Sequence, residues 1–207
     1  MRYPKLADEL ILLLEQDQVE WRTYHKIQLE VDENIDFEAL HKTLRNHVHE
    51  RAERMLKILD EIKEPRLSLI GSNAAQAISI LATHDSKHTL KYVLKKFNEL
   101  YMQDRGDTYY QAIPSMTDWL CVVEQKSQQF GTIWLGLDKK KPFLPLVEDF
   151  DSVNERRAAY GIEPLRWPRS LIMSDSEQPW LLRPLSELVM RNPTAQEYRE
   201  TIRDFKI

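Results

Sequence analysis

Apolar residues recur at helical spacing over most of the first 125 positions, and that periodicity is the dominant structural signal of the chain. After Pro4, where a helix can begin, Leu6, Leu10, Leu13 and Leu14 share one face while Asp8, Glu9, Glu15 and Gln16 point away. A short loop is expected around Val31 to Asn34. From Asp36 the strongest amphipathic pattern carries Phe37, Leu40, Leu44, Val48, Met55, Leu56, Leu59 and Ile62 to a stop at Pro65, and predicts the longest helix. Gly71-Ser72-Asn73 then breaks the chain. Ser72 is placed to cap a stretch containing Ala74, Ala75, Ala77, Ile78 and Leu81, whose small side chains permit close packing and predict a central helix.

Asp85 or Ser86 can cap a further helix with Leu90, Val93, Leu94, Phe97, Leu100 and Tyr101 on its apolar face and Gly106 just past its end. Pro114 is expected to interrupt, with Ser115 and Asp118 forming a capping-box-like start for Met116, Trp119, Leu120 and Val123. Phe130 to Leu137 and Pro142 to Val147 are rich in β-formers around Asp138-Lys139-Lys140-Lys141, which predicts one small irregular hairpin at about residues 130–147. Ser152 with Glu155, and Gly161 beyond, predict a compact helix over residues 152–160. Five of the ten prolines fall at Pro164, Pro168, Pro179, Pro184 and Pro193, marking a change of character. The expected fold is therefore mainly α: a single-domain helical bundle over residues 1–165 with the hairpin, and a proline-rich C-terminal extension, residues 166–207, holding two short helices.

Composition narrows the function classes. With 29 Lys+Arg against 33 Asp+Glu and a net charge of −4, no overall positive field exists to hold a polyphosphate backbone, so nucleic-acid binding is not expected. No unbroken apolar run exceeds the five residues of Leu10 to Leu14, far short of a membrane span. One cysteine and the absence of a basic-plus-apolar leader give a cytoplasmic expectation.

Candidate chemistry is local. His84 and His88 lie four apart, so on a helix they face the same way, and with Asp85 they offer part of a metal-ligand set. A third ligand would have to arrive through the fold from Asp118, Glu124, His47 or His49. The competing reading needs no metal: Asp85 caps the helix, His88 lies on its exposed first turn and His84 bonds a neighbouring carbonyl. His41, His47 and His49 belong to a solvated or boundary face beside Arg45, Glu50, Arg51 and Glu53. Cys121 sits among apolar neighbours that raise a thiol's pKa, which fits packing better than reactivity. The backbone donors of Gly131-Thr132 and the amides of Gln128 and Gln129 can line a polar pocket. Arg157 can face an anionic group there or pair, with Arg156, to Glu148, Asp149 or Asp151. No nucleophile elbow, phosphate loop, dinucleotide fingerprint or Cys-x-x-Cys pair occurs.

Several of these segments together resemble a bacterial family of domains of unknown function. The resemblance rests on Gln128-Gln129-Phe130-Gly131-Thr132, Pro145-Leu146-Val147-Glu148-Asp149, Val153-Asn154-Glu155-Arg156-Arg157 and Gly161-Ile162-Glu163-Pro164-Leu165. It extends back through Pro65 to Gly71, the alanine-rich stretch ending in His84, and Leu10 to Arg22 with Asp17-Gln18 inside, covering roughly residues 5–165. It implies that His84, Asp118, Gln128, Thr132 and Arg157 belong to a shared polar site. Two departures, Trp119 where the family has arginine and Ile133 where it has glutamine, each exchange a polar group for an apolar one. They imply a changed ligand, or a fold kept without its reaction.

Two functional expectations follow. One is a binding or interaction domain whose pocket, formed by His84, Asp118, Gln128, Gly131, Thr132 and Arg157, takes a small polar or anionic molecule, with residues 166–207 contacting a protein partner or a second copy. The other is a small hydrolase or transferase in which His84 is the general base and Asp118 orients it, metal-free or assisted by a metal on His84, Asp85 and His88. No cofactor is indicated by any motif.

Overall fold

The computed structural model describes residues 1–30, 36–133 and 147–165. Among these the chain is mainly helical, with seven α-helices and no sheet: α1 (Pro4–Glu30), α2 (Phe37–Ile62), α3 (Leu67–Ile70), α4 (Ser72–His84), α5 (Lys87–Gln103), α6 (Ala112–Val123) and α7 (Val153–Ala159). None of the described helices is long and apolar enough to cross a membrane. By its contacts the chain divides into two compact units, Met1–Met116 and Thr117–Ile207. The expected hairpin lies largely, and the extension 166–207 wholly, outside the described residues. At the hairpin's margins the structure has one isolated parallel bridge, Gln128 to Val147.

In the first unit α4 is the hub, packing on α1, α2, α3 and α5. Its alanines explain that position: Ala74, Ala75, Ala77 and Ala82 are fully buried, and their short side chains let neighbouring helices approach closely. Around them Leu10, Met55, Ile58, Leu59, Ile78, Leu90, Val93 and Phe97 form the core. Each such side chain contributes about 1.5–3 kcal/mol by leaving water. Asp36 caps α2 by accepting from the Ala39 N–H, and Ser86 caps α5 by accepting from the Thr89 N–H. The start of the chain is tied down where the N–H groups of Arg2 and Tyr3 donate to the Leu69 carbonyl.

Four local expectations are corrected. At 27 residues α1 is longer than α2 by one. Ser72 is the first residue of α4 rather than its cap, which falls on Gly71 at φ +80°, a left-handed conformation that suits glycine. Pro114 does not break the chain; it sits in the first turn of α6, where the missing N–H has no helical acceptor to lose. Asp118, expected in a capping box, instead lies inside α6.

Candidate functional site

In the first unit a polar cluster interrupts the apolar seam between α1, α2 and α4. On α1 the buried stripe runs Ala7, Leu10, Asp17, Tyr24, so an aspartate occupies a position that helical spacing assigns to the core. Asp17 has 0% exposure, and both its oxygens are taken. Oδ1 accepts from Arg51 Nη2 at 3.2 Å, and Oδ2 pairs with His84 Nδ1 at 2.5 Å. Arg51 of α2, 8% exposed, also donates from Nη1 to Glu20 at 3.0 Å, and Glu20 in turn meets His47 Nδ1 at 3.2 Å. A buried carboxylate is costly unless paired and hydrogen-bonded, and here one guanidinium and one imidazole perform both tasks.

The position of His84 is fixed from three sides. It ends α4, where Arg45 of α2 donates to the carbonyls of His84 (2.5 Å) and Asp85 (3.2 Å). The ring lies edge-on to Trp21, 5.5 Å between centroids, and Trp21 itself stacks on His25. Because a carboxylate only accepts, the proton of the neutral imidazole sits on Nδ1 and the lone pair on Nε2. The side chain is 26% exposed and Nε2 has no hydrogen-bond partner among the described residues. Two buried donors at this cluster, Trp21 Nε1 and Arg51 Nε, have no acceptor among the described residues.

Asp85 points elsewhere. It accepts from Thr89 Oγ1 at 2.6 Å and meets His49 Nδ1 at 3.2 Å. Burial pushes its carboxyl up, but the bonds from Thr89, the Ser86 N–H and His49 outweigh this and hold it below the ordinary value. His88 is exposed on the first turn of α5. No group of three or more His, Cys, Asp or Glu side chains among the described residues is arranged to hold a metal ion, the alternative His84, Asp85 and His88 set included.

In the second unit, Asp118 is fully buried and acts as the anchor of the loop that follows α6. Its Oδ1 accepts from the N–H groups of Gln129 (2.7 Å) and Phe130 (3.0 Å), and its Oδ2 from the N–H and Oγ1 of Thr132, both at 2.8 Å. Burial pushes the Asp118 carboxyl up against the pull of these donors. Gln128, also fully buried, closes a two-way amide pair with the Ile133 backbone, donating to its carbonyl at 2.9 Å and accepting from its N–H at 2.8 Å. Gly131, at φ +62°, supplies the left-handed turn between them.

Both arginines of α7 are spent on carbonyls of the same region. Arg156 donates to Gln129, Glu148 and Asp149, and Arg157 to Phe130 (2.7 Å), Gly131 (3.4 Å) and Glu163 (2.5 Å). Phe130 meets Tyr160 edge-on at 5.3 Å, while Val147, Val153 and Leu165 form a small core. Cys121 is half-buried, and burial raises its thiol as expected.

The five polar residues grouped by the family resemblance thus occupy two settings. Asp118, Gln128, Thr132 and Arg157 satisfy one another and the loop between them, leaving few donors for a ligand. His84 takes Asp17, not the expected Asp118, as its carboxylate. The missed residues are Asp17, Glu20 and Arg51, and the signal for Asp17 was available: it falls seven residues after Leu10 and seven before Tyr24 on one stripe. Comparison with family models, curated proteins and solved structures finds no match to this chain.

Proposed function

We propose that the chain binds a small polar molecule beside His84 and transfers a proton there, as a hydrolase or transferase in which His84 is the general base and Asp17 orients it. The observation that carries this reading is the 2.5 Å bond from His84 Nδ1 to a wholly buried carboxylate, with Nε2 left open. A buried acid that fixes one tautomer and stabilises the imidazolium formed in the transition state is the arrangement general-base histidines require. Arg51 holds the second oxygen of Asp17, so the carboxylate cannot turn away from the ring. Neither residue needs a metal for this role.

The test is turnover of a panel of chromogenic esters, amides and phosphate esters by the full chain and by His84→Ala. A positioned base contributes about 10²–10⁴-fold, so the variant is expected to lose at least about a hundredfold in kcat/KM on any substrate turned over. Retention of full activity by His84→Ala would refute the assignment. A molecule that raises the melting temperature of the full chain, but not of His84→Ala, and is never consumed would establish binding without reaction at the same atoms.

A further inference from the structure

The surroundings of His84 restrict both the nucleophile and the substrate. Among the described residues no hydroxyl or thiol is bonded to Nε2, and the hydroxyls nearest in sequence are committed: Thr83 Oγ1 donates to the Ile80 carbonyl, and Ser86 Oγ pairs with Thr89. Among the described residues, then, the imidazole is bonded to no protein nucleophile. Its Nε2 lone pair, on the side of the ring away from the Nδ1 bond to Asp17, is left for a water or for the substrate directly.

Charge selects the substrate. Of the described charged side chains only Asp17 touches the ring; those linked to it through Arg51 and the end of α4 bring the set to three acids, Asp17, Glu20 and Asp85, and two arginines, Arg45 and Arg51, an excess of one negative charge. Arg45 is occupied by the carbonyls of His84 and Asp85, and both terminal nitrogens of Arg51 by two carboxylates, its unpaired Nε being buried. An incoming phosphate or carboxylate would meet like charge with neither guanidinium turned toward it. An uncharged acyl carbon would meet no such opposition.

We infer that His84 Nε2 is itself an acyl-accepting nucleophile for uncharged ester-class substrates, a conclusion that rests on the open Asp17–His84 pair of the proposed function. The lone pair of Nε2 forms the N–C bond to the carbonyl carbon. The C–O bond to the alcohol or phenol breaks, and the leaving oxygen departs with the electron pair. The Nδ1 proton, already shared with Asp17, moves toward that carboxylate, so the acyl-imidazole is not left carrying a full charge. A water then gives one proton to the departed oxyanion and adds its hydroxide to the acyl carbon, the N–C bond breaks with its pair returning to Nε2, Asp17 hands its proton back to Nδ1, and the carboxylic acid leaves.

The experiment treats the full chain with diethyl pyrocarbonate, an uncharged acyl donor whose histidine adduct persists, and follows each histidine by peptide mass spectrometry. His25 and His88, both exposed, are internal references. His84, although less exposed, is expected to react about tenfold faster than either, and to fall to their rate in Asp17→Asn. The comparison within the unaltered chain stands even if that variant folds poorly. A His84 rate at or below the references would overturn the inference. A second arm uses 4-nitrophenyl acetate with rapid quenching. Acetyl trapped on His84 supports the covalent step. Phenol release that depends on His84 without a trapped acetyl would overturn it while leaving the general-base reading intact. No His84-dependent release, with no enhanced acylation, would remove both.

Discussion

At the residue scale, Asp17 and Asp118 are two fully buried carboxylates with opposite occupations. Asp118 faces four donors from one loop, so its replacement should act on structure. In Asp118→Asn the amide nitrogen can meet donors rather than accept from them, and leaving such groups unsatisfied costs about 2–3 kcal/mol. Hydrogen exchange should show this as lost protection at the amides of Gln129, Phe130 and Thr132, and unchanged protection there would contradict the anchoring role. Asp17 faces one imidazole and one guanidinium. The seven-residue spacing from Leu10 and to Tyr24 would have put Asp17 on the buried stripe of α1, but nothing local distinguishes a carboxylate that folds a loop from one that bonds a histidine. His84 was legible as a candidate through its four-residue spacing from His88 and through the family resemblance. Its partner was not, because Asp17 lies 67 residues away and only the packing of α1 against α4 brings them together.

At the scale of elements, the network Glu20–Arg51–Asp17–His84 ties α1 to α2 and α4 through the middle of an apolar seam. Removing one partner of a buried pair leaves a charge uncompensated, so Arg51→Met should destabilise the chain by about 3–5 kcal/mol. Replacing both, Asp17→Leu with Arg51→Met, should cost less than either single change, because apolar side chains suit the seam. Urea denaturation of the three variants measures this, and a double variant less stable than both singles would show that the network exists for folding alone. The hub position of α4 makes a companion prediction: Ala77→Leu adds bulk at a fully buried position, and should cost about 1–3 kcal/mol by overpacking. The helices themselves were largely readable from apolar spacing and caps. The exceptions have physical causes: Pro114 is harmless in a first turn, and Asp118 finds donors in the following loop rather than at its own helix start.

At the scale of the whole molecule, acid should weaken the first unit. Glu9 is held low by its hydrogen bond from Arg54, against burial. In Asp85 and Asp107 burial pushes upward, but hydrogen bonds outweigh it, from Thr89, Ser86 and His49 to the former and from Ser68 and Arg66 to the latter. Carboxyls whose folded pKa lies below the unfolded value, about 4, stabilise the fold above that value and lose the contribution as pH falls through the folded one. Denaturation midpoints followed by helical circular dichroism should therefore decline from about pH 5 downward, and a flat profile to pH 3 would contradict the sign. Of the polar residues that the sequence grouped, His84, with its partner Asp17, belongs to the first unit and the loop anchor Asp118 to the second. The most direct measurement on the Asp17–His84 pair is the long-range proton–nitrogen NMR spectrum of the six histidine side chains. The account predicts His84 protonated at Nδ1, with a far-downfield, slowly exchanging proton that disappears in Asp17→Asn. A His84 protonated at Nε2, or averaging between tautomers like exposed His88, would contradict it.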